Sequence, residues 1–246
     1  MNNVFAFLGS DHKVGTTQIS QCCAEALAKA LPNKTILLIQ CDGGRGSEYC
    51  LKVRESVDRI RPFLAQSIVN VEEIKEKSLY KDNLYIIGGQ IQPGMNEYLT
   101  PDMSEILINA VRDSFDLVIL DSGCHIEDGL SLGATLAADR VFMILNQKES
   151  SIGRYEWCSF LYERIDLFFD KFIINKYNRN SAYEISYIAD RLMLDKSNIF
   201  TVCEHSMGDM AEVKAKSLIS LKPTKRITND INKIAGAIIN YAGITA

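Results

Sequence analysis

The stretch FLGSDHKVGTTQIS, Phe7 to Ser20, decides the fold. A short apolar run, VFAFLG (4–9), leads into a loop bounded by Gly9 and Gly15, and Thr16-Thr17 open a helical pattern. In such a setting successive backbone N–H groups converge on phosphate oxygens, and the helix N-terminus adds its dipole. Glycine serves where the backbone turns to positive φ or a ligand comes close. The strict pattern G-x-x-x-x-G-K-[ST] is absent, because Thr16 occupies the place of the loop lysine. Taken alone, the loop reads equally well as an ordinary strand–turn–helix.

Working outward, six further apolar runs have strand character: TILLIQC (35–41), LYIIG (84–88), DLVILD (116–121), RVFMILN (140–146), KFIINK (171–176) and a weaker IFTVC (199–203). Near-continuous apolar strands of this length suit a sheet covered on both faces. Helical patterns separate them. Residues 17–31 place Ile19, Cys23, Ala26, Leu27 and Ala30 on one stripe. Residues 102–112 repeat this with Met103, Ile106, Leu107 and Ala110, and 151–168 and 181–194 follow suit. The alternation predicts an α/β fold with a doubly wound, mostly parallel central sheet of about seven strands flanked by helices. The segment 43–82 is the least regular and reads as a helical insertion or an arm. No linker or repeat divides the chain, so residues 1–246 are expected to form a single domain.

The 246 residues suffice for one such domain with a substantial core. A net charge of −4 gives no push toward nucleic acid or acidic lipid. No run approaches the roughly 18 apolar residues of a membrane span. The N-terminus lacks the pattern of a secretory signal. Seven cysteines form no C-x-x-C pair, which predicts reduced thiols and a cytoplasmic address. His12, His125 and His205 build no metal motif with them by spacing, so no metal is expected there. A chance metal or redox site at Cys41 and Cys124, both near strand ends, stays open.

Two carboxylates complement the loop. Asp121 ends DLVILD, where an acid can hold a magnesium water. Asp42 follows ILLIQC, where an acid can orient an attacking water. Each alone reads as a turn or helix-cap aspartate. Together they lie at strand ends, on the edge where parallel sheets bind ligands. The hydroxyl of Thr17 is placed for Mg²⁺.

With these residues in order, the chain resembles the MinD/ParA group of deviant-Walker P-loop ATPases over nearly its whole length. Within that group it is most similar to the CpaE/TadZ pilus-localisation branch. The loop of that branch commonly reads K-G-G-V-G-T-T-T, and here the aligned residues are Asp11-His12-Lys13-Val14-Gly15-Thr16-Thr17-Gln18. NLYIIGGQIQPGMNEYLTP (83–101) and SFDLVILDSG (114–123) also look like that branch. Asp42 matches the second aspartate of the family's D-x-D, and Gln40 replaces the first. Asn175 in FIINKYN matches an asparagine that contacts adenine; by itself it reads as a turn residue. The resemblance implies a P-loop NTPase-like domain that binds ATP and Mg²⁺ and forms a homodimer.

The departures bear on activity. The family's signature lysine, at the position of Asp11, reaches the phosphates of the partner subunit. Unit charges about 4 Å apart interact by ~1 kcal/mol in water and ~4 kcal/mol near a protein surface. An aspartate therefore repels phosphate there unless it turns away. His12 and Lys13 replace glycines, at roughly 1–2 kcal/mol for any left-handed position. Lys13 either returns positive charge or is a solvated loop residue. With both loop lysines gone, charge developing on a γ-phosphate has no evident cationic stabiliser.

The C-terminal ITNDINKIAGAIINYAGITA carries a stripe of Ile231, Ile234, Ile238 and Tyr241 but only Lys233 as a base. It reads as a packed helix rather than an interfacial one. KPTKR (222–226) reads as a solvated turn, with DNA contact as the alternative. Tyr155, Trp157, Phe160 and Leu161 suit a core or partner-facing helix.

The resulting expectation is a dimeric localisation or assembly factor for a pilus or secretion machine, peripheral to a membrane-bound assembly, with slow or absent ATP hydrolysis. Its phosphate-side candidates are Lys13, Val14, Gly15, Thr16 and Thr17. Asp42 is the candidate for water positioning, Thr17 and Asp121 for Mg²⁺, and Asn175 for the base. The rivals are an active partitioning-type ATPase stimulated by a partner or DNA, and a pseudo-ATPase scaffold.

Overall fold

The computed structural model describes residues 2–42, 53–90, 99–221 and 223–245. All seven expected strands are present: β1 (Val4–Gly9), β2 (Ile36–Gln40), β5 (Leu84–Gly88), β6 (Leu117–Asp121), β7 (Arg140–Asn146), β8 (Lys171–Tyr177) and β9 (Ile199–Cys203). Two short strands join them, β3 (Glu55–Ser56) and β4 (Leu79–Lys81). The sheet runs β3-β5-β2-β6-β1-β7-β8-β9, with β4 pairing on β5. That β4–β5 pairing is antiparallel and the others are parallel.

Period-2 alternation sorts each central strand between two cores. On β1, Val4, Ala6 and Leu8 enter one core, and Phe5 and Phe7 enter the other. On β6, Val118 and Leu120 are divided from Leu117 and Ile119 in the same way. The first face is covered by α2 (Val57–Leu64), α3 (Val71–Ser78), α4 (Pro101–Val111), α5 (Gly129–Ala137), α6 (Glu149–Arg164) and α7 (Ile185–Arg191). The second is covered by α1 (Thr16–Ala30), α8 (Gly208–Lys214) and α9 (Lys225–Ala242). This is the doubly wound arrangement.

The helical stripes differ in detail from those predicted. Helix α1 is buried well beyond a narrow stripe, taking in Gln18, Ser20, Gln21 and Cys22. Its outer side lies against α9. Ile231, Ile234 and Ile238 are buried there, as the stripe predicts. Helix α4 buries Ser104, Leu107, Ile108 and Val111, a face rotated from the predicted one. It lies against α5, where a Cβ on Gly133 would meet the Pro101 carbonyl oxygen at 2.1 Å. The Ser104 hydroxyl donates to the Leu130 carbonyl at 2.9 Å across that contact. Part of the segment 43–82 is indeed helical, as α2 and α3; residues 43–52 lie outside the described residues.

Trp157 and Phe160 are 76% and 66% exposed and are not core residues. Among the described residues, no helix is long and apolar enough to cross a membrane.

Candidate functional site

Strand register brings the site residues to one edge. Phe7 of β1 and Gln40 of β2 both pair with Asp121 of β6. Gly9 pairs with Ile144 of β7, and Asn146 pairs with Asn175 of β8. The carboxyl ends of β1, β2, β6, β7 and β8 thus lie along the same edge of the sheet, with Asp42 following β2. Backbone bonds continue past the strands: Cys41 N–H donates to the Asp121 carbonyl at 2.7 Å, Gly9 N–H to Gly123 at 2.6 Å, and Ser10 N–H to Ile144 at 2.8 Å.

The loop between β1 and α1 has the backbone that its glycines suggest. Gly15, at φ 95°, is the residue before α1. It supplies no side-chain cap, and the first turn of α1 carries no acidic residue. Among the described residues the start of α1 thus has no side-chain cap, and no acid of its own first turn meets its positive dipole end. At Gly9 a Cβ would lie 2.3 Å from Thr16 Oγ1 and 2.8 Å from Val14 Cγ2, so only glycine lets the loop fold back over the strand end. Lys13 takes a left-handed φ of 59°, a conformation that costs a residue with a side chain about 1–2 kcal/mol.

The loop is held from outside. The Asn175 amide donates to the Val14 carbonyl at 2.7 Å. The Lys176 ammonium donates to the Lys13 carbonyl at 2.9 Å, and Lys176 itself sits at φ 53°. On the other side Ser10 Oγ lies 2.7 Å from Ser151 Oγ on α6, and Ser151 Oγ accepts the Asn146 N–H at 3.1 Å. Asn175 is buried with its amide engaged on the loop backbone. Lys176, Ser10, Ser151 and Gly123 were not among the sequence candidates. Of these, Gly123 carries a hint in the sequence, a glycine two residues past Asp121; in the structure it takes φ 61°.

Asp121 is fully buried, and its Oδ1 accepts the Gly123 N–H at 3.3 Å. Asp42 is half-buried against Gly123, where a Cβ would lie 2.5 Å from its own Cβ. Burial, with the charges of Asp121 and Asp42 added, holds the Cys41 thiol well above its ordinary range. Burial also pushes the Cys124 thiol up to about 11; Arg154 opposes this, while Asp11, Asp42 and Glu127 reinforce it. Asp11 and Asp42 therefore act electrostatically on one point at the carboxyl edge of the sheet. Asp11 Oδ1 accepts the His12 N–H at 2.8 Å, which fastens its carboxylate to the loop backbone.

The donor set fits an anion beside a hard cation. Uncapped amides of α1 suit phosphate oxygens. The Thr17 hydroxyl and the Asp121 carboxylate are oxygen ligands of the kind that hold Mg²⁺. Bound there, the ion would neutralise phosphate charge. The chain's own contribution is to fix the loop amides, keep Asp121 buried at a strand end, and hold Asp42 at the same edge. Among the described residues, Lys13 and Lys176 bring cations to the loop.

At the other sites weighed from sequence, Thr224 caps α9 by accepting the Ile227 N–H, which gives the KPTKR stretch a structural role. Lys222 lies outside the described residues, as do Cys50 and residues 91–98 of the NLYIIGGQIQPGMNEYLTP stretch.

No family model matches the chain. It is 23% identical to the septum site-determining protein MinD of Thermotoga maritima, over 97% of this chain and 88% of that protein. It is 27% identical to the tyrosine-protein kinase wzc of Salmonella typhi over 63% of this chain, a match that spans only 22% of the kinase. A ParA family ATPase from Chlorobium tepidum superposes with a TM-score of 0.84 at 16% identity, covering 96% of this chain and 99% of that one. MinD from Pyrococcus horikoshii, solved with Mg-ADP, superposes at 0.79 and 16% identity, covering 100% and 99%. On these superpositions the chain has the fold of the MinD/ParA P-loop ATPases.

Proposed function

We propose that this protein binds a nucleotide with Mg²⁺ at the β1–α1 loop, dimerises through that site, and serves as a localisation or assembly factor with slow or absent ATP hydrolysis. The observation that carries the binding reading is the uncapped start of α1 at left-handed Gly15, facing the sheet edge that holds Asp121 and Asp42. The Mg-ADP bound by the Pyrococcus protein of the same fold supports it. Slow turnover follows from Asp11 and Thr16 standing where lysines would stabilise developing phosphate charge. Asp42 remains the candidate for orienting water, and the resemblance to the pilus-localisation branch is the basis for placing the protein at a surface-assembly machine. Trp157 and Phe160, three residues apart on α6 and largely exposed, support a protein partner on that face.

A second reading, a pseudo-ATPase scaffold, is favoured by Asn175. Its amide, expected on the base, is engaged on the Val14 carbonyl. Calorimetry with ATP, ADP and Mg²⁺, beside light scattering, separates the two. Heat of binding coupled to nucleotide-dependent dimerisation supports the first. A dimer indifferent to nucleotide, with no binding heat, supports the scaffold. Rapid turnover abolished by Asp42→Ala would overturn both in favour of an active ATPase.

A further inference from the structure

His12, Cys124 and His125 come together at the carboxyl edge of the sheet, and their ligating atoms all lie within 4.8 Å of one another. The sequence gives no sign of this, since His12 is 112 residues from Cys124. The Cys124 Sγ stands 3.6 Å from His12 Nδ1. In a tetrahedral zinc site with Zn–S near 2.3 Å and Zn–N near 2.05 Å, the S···N edge is about 3.5 Å. The two atoms are thus already at the separation a shared ion requires. The imidazole rings of His12 and His125 meet edge-on, with centroids 4.5 Å apart. Glu127 Oε1 lies 3.6 Å from His125 Nδ1, and Arg154 Nη2 lies 3.7 Å from the same carboxylate oxygen. A carboxylate behind a ligating imidazole orients the ring.

Three further features favour a cation. Asp11, Asp42 and Glu127 act electrostatically on Cys124, and Arg154 opposes them. Cys124 is the one described cysteine that is not buried. All three ligands sit at the carboxyl edge of the sheet, open to solvent, so an ion has an entry path.

The geometry points to a divalent transition-metal site at His12, Cys124 and His125, of borderline-soft character and suited to Zn²⁺, with a fourth position left open. One thiolate and two imidazoles select zinc-like ions over Mg²⁺ or Ca²⁺. On binding, the S–H bond of Cys124 breaks, an S–metal bond forms, and the proton leaves to solvent. No electron is transferred. Bound there, the ion would place a positive charge beside the β1–α1 loop. This site stands independently of nucleotide binding.

The test is titration of the nucleotide-free, reduced protein with Co²⁺, followed by displacement with Zn²⁺. One equivalent of Co²⁺ should give intense tetrahedral d–d bands and a thiolate-to-metal charge-transfer band, both erased by one equivalent of Zn²⁺. Cys124→Ser should remove the charge-transfer band. His12→Ala and His125→Ala should each weaken Zn²⁺ binding by more than the roughly 10–100-fold that loss of an outer partner costs. His205→Ala, at a remote histidine, should leave it unchanged. Circular dichroism of each metal-free variant verifies the fold, and His12 is exposed, so its truncation leaves the core intact. Native mass spectrometry gives a second measure of stoichiometry. Absence of a charge-transfer band at one equivalent, or equal Zn²⁺ affinity in the three ligand variants and the parent, overturns the assignment. ATP is absent throughout, so a failure here leaves the nucleotide reading untouched.

Discussion

Asn175, at the end of β8, donates its side-chain amide to the carbonyl of Val14, 2.7 Å away, and so ties the far strand to the phosphate loop. Asn175→Ala removes a buried hydrogen bond and leaves the Val14 carbonyl without that donor. The expected loss is about 1–3 kcal/mol of unfolding free energy. Chemical denaturation should show a lowered midpoint at unchanged slope. A midpoint equal to the parent's would mean that the tie contributes nothing.

Gly15 and Asn175 are coupled by contact. A Cβ at Gly15 would approach Asn175 Nδ2 to 2.4 Å, and Gly15 is at φ 95°. Gly15→Ala should therefore destabilise through both clash and left-handed strain, the latter about 1–2 kcal/mol. Adding Asn175→Ala removes the clash and leaves the strain. A double-mutant cycle should show a coupling of roughly 0.5–3 kcal/mol. Strict additivity would show that the two residues do not meet.

Lys13 holds φ 59° with a full side chain. Lys13→Gly should raise stability, since relief of roughly 1–2 kcal/mol of left-handed strain exceeds the roughly 0.5–1 kcal/mol entropic cost of glycine. The melting temperature should rise. The triple change Asp11→Lys, His12→Gly and Lys13→Gly should also tighten ATP binding by calorimetry. Unaltered affinity would show that the loop sequence is not what limits binding.

Asp116 anchors the start of β6. Burial opposes its ionisation, yet the Thr35 N–H at 2.8 Å, the Lys34 ammonium at 2.9 Å and the Thr35 hydroxyl at 2.9 Å together hold its carboxyl below the ordinary range. A depressed folded-state pKa gives stability that is present above the unfolded pKa, about 3.9, and is lost as pH falls through the folded value. Asp116→Asn should thus have a lower urea midpoint than the parent at neutral pH, and the gap should narrow under acid. A gap constant with pH would assign the effect to packing.

Ile234 is fully buried where α9 meets the second core. Ile234→Ala should cost about 2–5 kcal/mol, whereas Lys233→Ala, at an exposed neighbour, should stay within about 0.5 kcal/mol. Because the apolar stripe of α9 faces the core, sedimentation with anionic vesicles should leave the intact protein in the supernatant. Co-sedimentation that depends on Ile234 would reverse this assignment.

The fold was legible because the seven long strands are apolar, evenly spaced and separated by helical patterns. Strands β3 and β4 were not legible. Glu55-Ser56 offers no apolar alternation, and β4 has only three residues, so pairing with β5 rather than local preference creates both. The rotated face of α4 reflects its contact with α5, a tertiary choice that periodicity cannot encode. At the candidate site, the left-handed turn at Gly15 was readable because it is local to one loop. The bracing by Lys176 and Ser151, and the meeting of His12 with Cys124 and His125, depend on strand order and leave no spacing signature.

The strap from β8 has a consequence for how this loop can change. Since Asn175 and Lys176 grip the carbonyls of Val14 and Lys13, much of the loop's shape is written outside its own sequence. Exchanging the side chains of Asp11, His12 or Lys13 leaves both of those backbone acceptors in place, so the strap itself does not depend on which residues stand there.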